Sequence, residues 1–396
     1  MNADFDVVVI GKGLVGAAAG KYLAAGKKRV AIVGAELSST LQPPLVYASH
    51  DDQARIQRLV GKDVHWTRLN ADSVQQYKNI SAESGIDFHT ENGCFYINPY
   101  GNDLYLKQFP SLAKTFQIQH QFCNATEIHG LYKNRLRFPD TSSGVLEYGP
   151  SGSINPLRLI EAQIKIFKQL GGIVYPDTVT KLTARQDGFD LETESNRSIH
   201  AKQVLVATGS FLNYLNLLPL KLSLVTKSEV VLLIRADRQT AADYSNLPTL
   251  LYEIDEADTE GVYVLQPVRY PDGYDYFKIG CNLPGDIFFE SLEQIHHWFR
   301  SFDSTIFAPF LQRAFQKLFP SVDTSHAFTK KCIISRTEHG RPYIGETIHR
   351  GLFVAGGCNG YSAMCSDGIG RVASQLMQTG QMPNGYEKEA FELRYQ

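Results

Sequence analysis

The feature that most constrains the fold is a glycine motif that directly follows a short run of β-branched residues. Residues 6–10 are Asp-Val-Val-Val-Ile, and Gly11, Gly13 and Gly16 then form the pattern Gly-x-Gly-x-x-Gly at the start of a helix rich in small residues. Gly11 permits a tight turn, Gly13 lets the backbone approach a pyrophosphate, and Gly16 lets the helix pack closely on the sheet. The N-terminus of this helix presents free backbone N–H groups that can bind phosphate. Because a second strand follows at residues 29–33, the whole segment predicts a dinucleotide-binding unit. The alternative is a glycine-rich turn of another α/β protein.

The end of the second strand departs from the usual dinucleotide pattern. An acidic residue normally closes this strand and binds the ribose hydroxyl groups, but Gly34 stands there. Glu36 is the nearest carboxylate, and we expect it either to bind the ribose or to be a surface loop residue. Because no arginine lies at the end of the strand, a 2′-phosphate is not favoured.

Composition and charge exclude several classes of protein. The 396 residues carry a net charge of −2, so there is no basic surplus to neutralise phosphates and nucleic acid is not an expected partner. No apolar run approaches the length of a membrane span. The first strand begins by Phe5, which leaves no room for a signal peptide, so we expect a cytoplasmic protein. The six cysteines are scattered, and neither a disulfide framework nor a metal site is expected.

The remaining patterns predict two domains in an α/β (α+β) fold. A buried strand at 203–209 ends in Ala-Thr-Gly, and another at 351–357 precedes a second glycine-rich helix start. Between them, short strands separated by turn signals favour an antiparallel sheet. A nucleotide contacted by both ends of the chain fits FAD better than NAD. We therefore predict a FAD-binding domain of residues 1–60, 150–222 and 325–396, and a substrate domain, built on a large antiparallel sheet, of residues 61–149 and 223–324.

Four local matches resemble one known family. They are the glycine fingerprint, Ser49-His50 with Arg55-Ile56-x-Arg58, the strand Phe277-Lys278-Ile279-Gly280, and Cys332 in Cys-x-x-Ser-Arg-Thr. On these residues the chain resembles the FAD-dependent D-amino-acid oxidase superfamily over nearly its whole length. Within that superfamily it most resembles the branch of monomeric sarcosine oxidase and N-methyltryptophan oxidase. The resemblance implies a glutathione-reductase-type Rossmann domain for FAD with an inserted substrate domain.

The resemblance also implies roles for four side chains. Arg55 would lie beside the flavin, and Arg58 would bind the substrate carboxylate through a two-pronged contact. Lys278 would activate dioxygen, because a buried ammonium stabilises the negative charge that develops there. Cys332 would be joined covalently to the flavin 8-methyl carbon, as a thiolate activated by Lys331 and Arg336. Without the resemblance, the same residues would be a surface arginine, a strand-edge lysine and a small buried cysteine.

Further contacts are expected around these residues. Met364 stands near the position where the family often has a second lysine for the substrate carboxylate, and Asn282 where the branch has a histidine close by. These departures make sarcosine a doubtful substrate and favour a different or larger side chain. The other expected cofactor contacts are Ser49, His50, Val179, Gly209, Gly356, Gly357, Gly360 and Met364. The other expected substrate contacts are Tyr263, Asn282 and Tyr361.

We expect an oxidase that acts on the C–N bond of an amine or amino acid. The products would be an imine, which water hydrolyses, and hydrogen peroxide from dioxygen. The cofactor carries such chemistry, and the protein supplies orientation and charge. The family precedent favours a monomer or a small homo-oligomer. Two alternatives stay open at this point, namely a flavin dehydrogenase with another electron acceptor and a FAD-binding protein without turnover.

Overall fold

The computed structural model describes residues 4–36, 51–101, 103–132, 135–254, 260–283 and 285–396. Ser49 and His50 lie outside the described residues. The strands, in chain order, are β1 (Phe5–Ile10), β2 (Val30–Val33), β3 (Arg55–Gln57), β4 (His89–Thr90), β5 (Cys94–Asn98), β6 (His120–Asn124), β7 (Ser143–Glu147), β8 (Gly152–Ile154), β9 (Ile173–Tyr175), β10 (Val179–Arg185), β11 (Gly188–Thr193), β12 (Ser198–Val206), β13 (Leu224–Ala236), β14 (Thr249–Tyr252), β15 (Glu260–Arg269), β16 (Asp275–Asn282), β17 (Phe288–Phe289), β18 (Ala327–Thr337), β19 (Tyr343–Glu346) and β20 (Leu352–Gly356).

Some helices pack against the first sheet, and others pack against the second sheet. In chain order they are α1 (Leu14–Ala25), α2 (Val64–Ser84), α3 (Leu104–Phe116), α4 (Ala125–Tyr132), α5 (Pro156–Gln169), α6 (Arg238–Asp243), α7 (Leu292–Arg300), α8 (Ala308–Leu318) and α9 (Ser362–Thr379). None of the helices in the described ranges combines the length and apolar character that crossing a membrane requires.

The first sheet has the parallel centre that the glycine motif predicts. β1 pairs in parallel with β12 on one side and β2 on the other, β9 pairs with β2, and β20 pairs with β12. β10 and β11 extend it as an antiparallel hairpin, and β19 lies antiparallel to β20. The prediction of a Rossmann-like α/β unit is therefore confirmed.

Two glycines of the motif are required by close approaches of the backbone. Gly11 has φ +114, and a Cβ there would lie 2.4 Å from the carbonyl oxygen of Ala207 at the end of β12. At Gly16 a Cβ would lie 1.9 Å from the carbonyl oxygen of Gly11. Because real Cβ atoms do not approach oxygen so closely, side chains at these positions would push α1 away from the sheet.

The second sheet contains nine strands and faces the carboxyl ends of the first. Its order is β17-β13-β16-β15-β14-β5-β7-β6, and β18 pairs with β13 along eleven residues. All pairings are antiparallel except β5 with β14. The prediction of a large antiparallel sheet is thus confirmed. β18 pairs in this sheet although the sequence analysis placed it with the FAD-binding segments, and the division into domains by residue number stays a prediction.

Side chains of β16 point alternately into the core of the second sheet and toward the candidate site. Phe277 and Ile279 are fully buried in a cluster with Trp298 of α7 and Phe315 of α8. Since side chains of a strand alternate between faces, Lys278 and Gly280 face the other way, toward the first sheet. A small third sheet of β3, β8 and β4 lies on that side and carries Arg55.

A buried ion pair joins three helices on the first sheet. The Lys21 ammonium of α1 donates to Asp367 Oδ1 of α9 at 2.7 Å. Tyr22 donates to Oδ2 at 2.7 Å, and the Gln163 amide of α5 donates to Oδ1 at 3.0 Å. At Gly370 a Cβ would lie 2.5 Å from the Ala18 Cβ, so α1 and α9 are in backbone contact. The carboxylate of Asp367 therefore satisfies three donors at a closely packed helix junction.

Replacing Asp367 with alanine should destabilise the protein strongly, because it leaves the Lys21 ammonium buried without a counter-charge. We expect the free energy of unfolding to fall by about 3–5 kcal/mol, measured by urea denaturation. The double variant Lys21→Met, Asp367→Leu removes both charges and should recover most of that loss. A loss below about 1 kcal/mol in the single variant would contradict the assignment.

Candidate active site

A cavity of about 500 Å³ lies at the carboxyl ends of the parallel strands. This is the edge at which doubly wound sheets bind nucleotides. One wall comes from β1, β2, β12 and β20, and the opposite wall comes from β18 of the second sheet. The residues expected from the sequence that line it are Gly11, Gly13, Glu36, Arg55, Val179, Gly209, Cys332, Gly356 and Gly360.

The end of the cavity near α1 fits the phosphates of a dinucleotide. Gly13, which has no side chain to cap the helix, is the N-cap of α1, and the first backbone N–H groups of such a helix form a site for an anion. Thr208 lines the same region, and its hydroxyl is buried without a hydrogen-bond partner in the described part of the chain. Glu36 lies at the rim with its side chain 67% exposed, and it pairs with Lys12. The donor set and the volume suit FAD.

A buried cluster of charges adjoins the other end of the cavity. Lys278 is 0% exposed, and its ammonium lies 3.0 Å from Asp52 Oδ2 and also donates to the carbonyl of Ala54. Arg55 forms an ion pair with the same Asp52 oxygen, and the Tyr270 hydroxyl donates to the other oxygen. Arg55 lines the cavity, whereas Lys278 lies behind it. Dioxygen or a flavin would therefore meet this cluster through Arg55.

The charges of the cluster shift one another's pKa values. Burial alone would raise the pKa of Asp52, but Lys278 and Arg55 outweigh burial and hold it far below its usual range. Burial and the neighbouring Arg55 lower the pKa of Lys278 from 10.5 to about 7, while Asp52 acts in the opposite direction. Burial also lowers the pKa of Arg55, but Asp52 outweighs it, and the net shift is upward. The cluster therefore carries a net positive charge only while Lys278 is protonated.

Arg58 is a buried cation in a smaller pocket next to the cavity. It is 7% exposed, and its guanidinium lies 5.2 Å from the ring centre of Tyr105 and 5.7 Å from that of Tyr361. No carboxylate of the described ranges forms an ion pair with it. Glu147 fixes the following backbone by accepting the N–H of Leu59 at 2.7 Å and that of Val60 at 3.1 Å. Burial lowers the pKa of Arg58, but Tyr105, Tyr361 and, less strongly, Glu147 outweigh burial, so the guanidinium stays a buried cation in a narrow pocket.

Cys332 lies in the cavity wall. The sequence predicts Lys331 and Arg336 as the cations beside its thiol, whereas the structure places Arg55 there. Lys331 donates to the carbonyl of Phe302 at 3.0 Å, and Arg336 donates to Asn282 Oδ1 at 2.8 Å. The expectation that these two cations activate the thiol is wrong, because their ends have other partners. Burial raises the pKa of the Cys332 thiol, and Arg55 is the neighbour that lowers it most.

The remaining expected residues lie near the cavity without lining it. The ring of Tyr263 packs over Gly280, where a Cβ would lie 2.4 Å from the tyrosine oxygen. Tyr361 and Met364 line the smaller pocket with Arg58. Gly16 and Gly357 are instead positions where another group packs against the backbone. The group is the Gly11 carbonyl at Gly16 and the Thr337 side chain at Gly357. The structure thus groups Tyr361 and Met364 with Arg58, and Asn282 with Arg336.

Sequence reasoning missed several residues of the site. Asp52 offered a weak signal, because an acid three residues before Arg55 can pair with it. Tyr270, Tyr105 and Glu147 offered none, since their contacts join residues far apart in the chain. Thr208 was part of the recognised Ala-Thr-Gly strand end, but nothing in the sequence marks its hydroxyl as unpaired.

The comparison with protein families decides the assignment. Residues 6–376 match the family described as FAD dependent oxidoreductase, DAO. The chain belongs to this family. The resemblance inferred from the sequence is therefore confirmed, and so is an FAD-dependent oxidoreductase as the class of protein. Within the described residues, no group of three or more histidine, cysteine or acidic side chains is arranged to hold a metal ion.

Individual DAO relatives agree with that assignment. Monomeric sarcosine oxidase of Bacillus sp. (strain B-0618) is 23% identical over 386 residues, which are 96% of this chain and 94% of that protein. N-methyl-L-tryptophan oxidase of Yersinia pestis (strain Pestoides F) is 25% identical over 214 residues, which are 54% of this chain and 55% of that protein. NikD, described as an unusual amino acid oxidase essential for nikkomycin biosynthesis, has a TM-score of 0.79 at 17% identity and covers 99% of this chain and 98% of its own. That likeness shows the fold.

Replacing Gly11 with alanine should weaken FAD binding in this DAO protein, because the new Cβ meets Ala207 and moves the turn that approaches the phosphates. We expect the dissociation constant of FAD, measured by fluorescence titration of the apoprotein in a Cys332→Ser background that binds FAD reversibly, to rise about tenfold or more, which corresponds to about 1.4 kcal/mol. Gly273→Ala is the control, since Gly273 has φ +84 in a turn with open space around it. Wild-type FAD affinity in Gly11→Ala would contradict the assignment of the turn at Gly11 as a phosphate-binding site.

Proposed function

We propose that the protein is an FAD-dependent oxidase of a small amino acid, with a secondary or primary amine and a free carboxylate. The observation that carries the proposal is Arg58, a buried cation that forms no ion pair in the described ranges and lies in a narrow pocket that adjoins the cavity at residues 360–364. A buried arginine of this kind is expensive unless an anion binds it. A substrate carboxylate supplies that anion.

FAD held by the backbone around Gly11 and Gly13 and by Thr208 would supply the two-electron oxidation of the substrate C–N bond to an imine, which water hydrolyses. The two electrons and two protons lost from the C–H and N–H bonds would end in hydrogen peroxide, formed from dioxygen. The protein's own residues position the reactants. Arg58 holds the substrate carboxylate, which fixes the distance of the amine from the cavity. Tyr105 and Tyr361 cover the guanidinium and keep water from it, which strengthens the ion pair.

The second half of the reaction depends on positive charge near the cavity. Lys278 and Arg55 supply it, and a cation held in a dry site stabilises negative charge on dioxygen more strongly than one in water. The similarity to a sarcosine oxidase and an N-methyl-L-tryptophan oxidase supports a secondary amine. The aromatic wall of Tyr105, Tyr361 and Trp66 supports a substrate larger than sarcosine.

A dehydrogenase that passes electrons to another acceptor is the second candidate. It is favoured by the ion pair of Lys278 with Asp52, which offsets part of the positive charge available to dioxygen. The two functions are separated by one experiment. Anaerobic addition of amino acids bleaches the flavin in both cases, but rapid recovery of the absorbance with stoichiometric hydrogen peroxide on admitting air occurs only in the oxidase. Bound FAD that no amine in the panel reduces would contradict both.

Replacing Arg58 with methionine should remove the preference for substrates with a carboxylate. A charge-assisted hydrogen bond contributes about 1.5–3 kcal/mol, so we expect kcat/KM for the amino acid to fall by roughly 10- to 150-fold. The value for the matching amine without the carboxylate should change little. Arg68→Met is the control, since the Arg68 guanidinium stacks on Phe116 away from the cavity. Equal losses for both substrates would contradict the role of Arg58.

We also propose a covalent bond between Cys332 and the flavin. Its support is the position of Cys332 in the cavity wall beside Arg55. Acid precipitation of the wild-type protein should leave the yellow colour in the pellet, whereas the Cys332→Ser pellet should be colourless and its supernatant yellow. Cys358→Ser is the control, because Cys358 also lines the cavity but lies on the wall of the first sheet. Colour in the supernatant of the wild type would contradict the bond.

A further inference from the structure

Asp52 is the buried carboxylate on which the cations of the site converge. It is 1% exposed, and its two oxygens accept from Lys278, Arg55, Tyr270 and the backbone N–H of Gln53. These partners come from β3 and the segment before it, from β16 and from the turn that follows β15.

The surroundings of Lys278 contain few other charges that could replace Asp52. From the β3 side it faces Asp52 and Arg55, and from β15 the ring of Tyr263 lies 5.8 Å from its ammonium. Cys332 of β18 adds a weak favourable influence. Lys330 of the same strand pairs with the exposed Asp51 at 3.5 Å. Glu229 of β13, opposite Cys332, is engaged by Lys227 at 3.1 Å, and Tyr270 contacts Asp52 itself.

We propose that Asp52 is a positioning residue that keeps Lys278 protonated and fixed behind Arg55, and that it thereby sets the pH range in which the reduced protein reacts with dioxygen. This inference rests on the proposed function, in which Lys278 supplies the charge for that reaction. Asp52 itself neither donates nor accepts electrons. Its role is electrostatic and geometric, since one buried carboxylate contacts both cations and favours the charged form of each.

The sign of the effect follows from the shifts of the cluster. Burial and Arg55 already lower the pKa of Lys278 to about 7, with Asp52 acting against them. Asp52→Asn removes the opposing charge, so the pKa of Lys278 should fall further. As the pH rises, Lys278 then loses its proton at a lower pH in Asp52→Asn than in the wild type, and we expect the rate of reaction with dioxygen to fall with it. A shift of one pKa unit lowers that fraction about tenfold at pH 8 and only slightly at pH 5.5.

The first test uses the apoprotein and does not depend on activity. Where the unfolded chain binds more protons than the folded one, the free energy of unfolding rises with pH. For Lys278 this window lies between about 7 and 10.5 in the wild type. In Asp52→Asn the rise should begin below pH 7, and in Lys278→Met the contribution should be absent. Asp51→Asn is the matched control, an adjacent but exposed acid, and should follow the wild type in urea titrations from pH 5 to 10.

The second test measures the reaction with dioxygen alone. The FAD-loaded protein is reduced with dithionite and mixed with aerated buffer in a stopped-flow instrument, so no substrate is needed. We expect Asp52→Asn to react about tenfold more slowly than the wild type at pH 8 and within about twofold at pH 5.5. Asp52→Glu should recover most of the rate, and Asp51→Asn should match the wild type. In the Lys278→Met background, Asp52→Asn should cause no further loss.

The outcomes separate this inference from the proposed function. Rapid reoxidation that Lys278→Met abolishes and Asp52→Asn leaves unchanged at every pH would overturn the role of Asp52 while the oxidase stands. An equal loss at pH 5.5 and pH 8, or an unchanged onset in the apoprotein titration, would also overturn it. Reoxidation of the wild type no faster than that of free flavin would instead overturn the oxidase.

Discussion

The site depends on one constraint, the need to keep two cations charged side by side when one is fully buried and the other is mostly buried. Burying an ammonium and a guanidinium costs several kcal/mol each unless a carboxylate and further hydrogen bonds compensate. Asp52 supplies that carboxylate, and it joins β16 of the second sheet to the segment that leads into β3. Because a misplaced partner would leave a bare buried charge, the cluster fixes the second sheet relative to Arg55 more strictly than apolar packing would.

A single strand of the second sheet places side chains in both the apolar core and the candidate active site. In β16 the side chains of Phe277 and Ile279 complete an apolar core with α7 and α8, while Lys278 and Gly280 face the site. A shift of one residue in the register would exchange the two sets. The core thus protects the position of Lys278, since any movement of the strand that displaces the ammonium also exposes large aromatic side chains.

Local patterns in the sequence were enough for the parts of the fold that are built from neighbouring residues. The glycine turn, its helix and the alternation along β16 all follow from spacing, and the family resemblance located Arg58, Lys278 and Cys332. Contacts between distant segments could not be predicted in this way. Asp52 and Lys278 are separated by 226 residues, and the activating role given to Lys331 and Arg336 failed because adjacency in sequence does not show where the end of a long side chain is bound.

The order in which the cavity walls occur in the chain has a consequence for biosynthesis. The first lining residue is Ile10 at the end of β1, and the last is Ala363 at the start of α9. The nucleotide site is therefore incomplete until the chain has been made as far as Ala363, and synthesis from Ile10 to Ala363 takes on the order of 20 to 70 s at typical rates of translation. During that time β1 and α1 exist without β20, so the complete nucleotide site forms only after β20 and the start of α9 have been made, and a shortage of FAD would leave that site open.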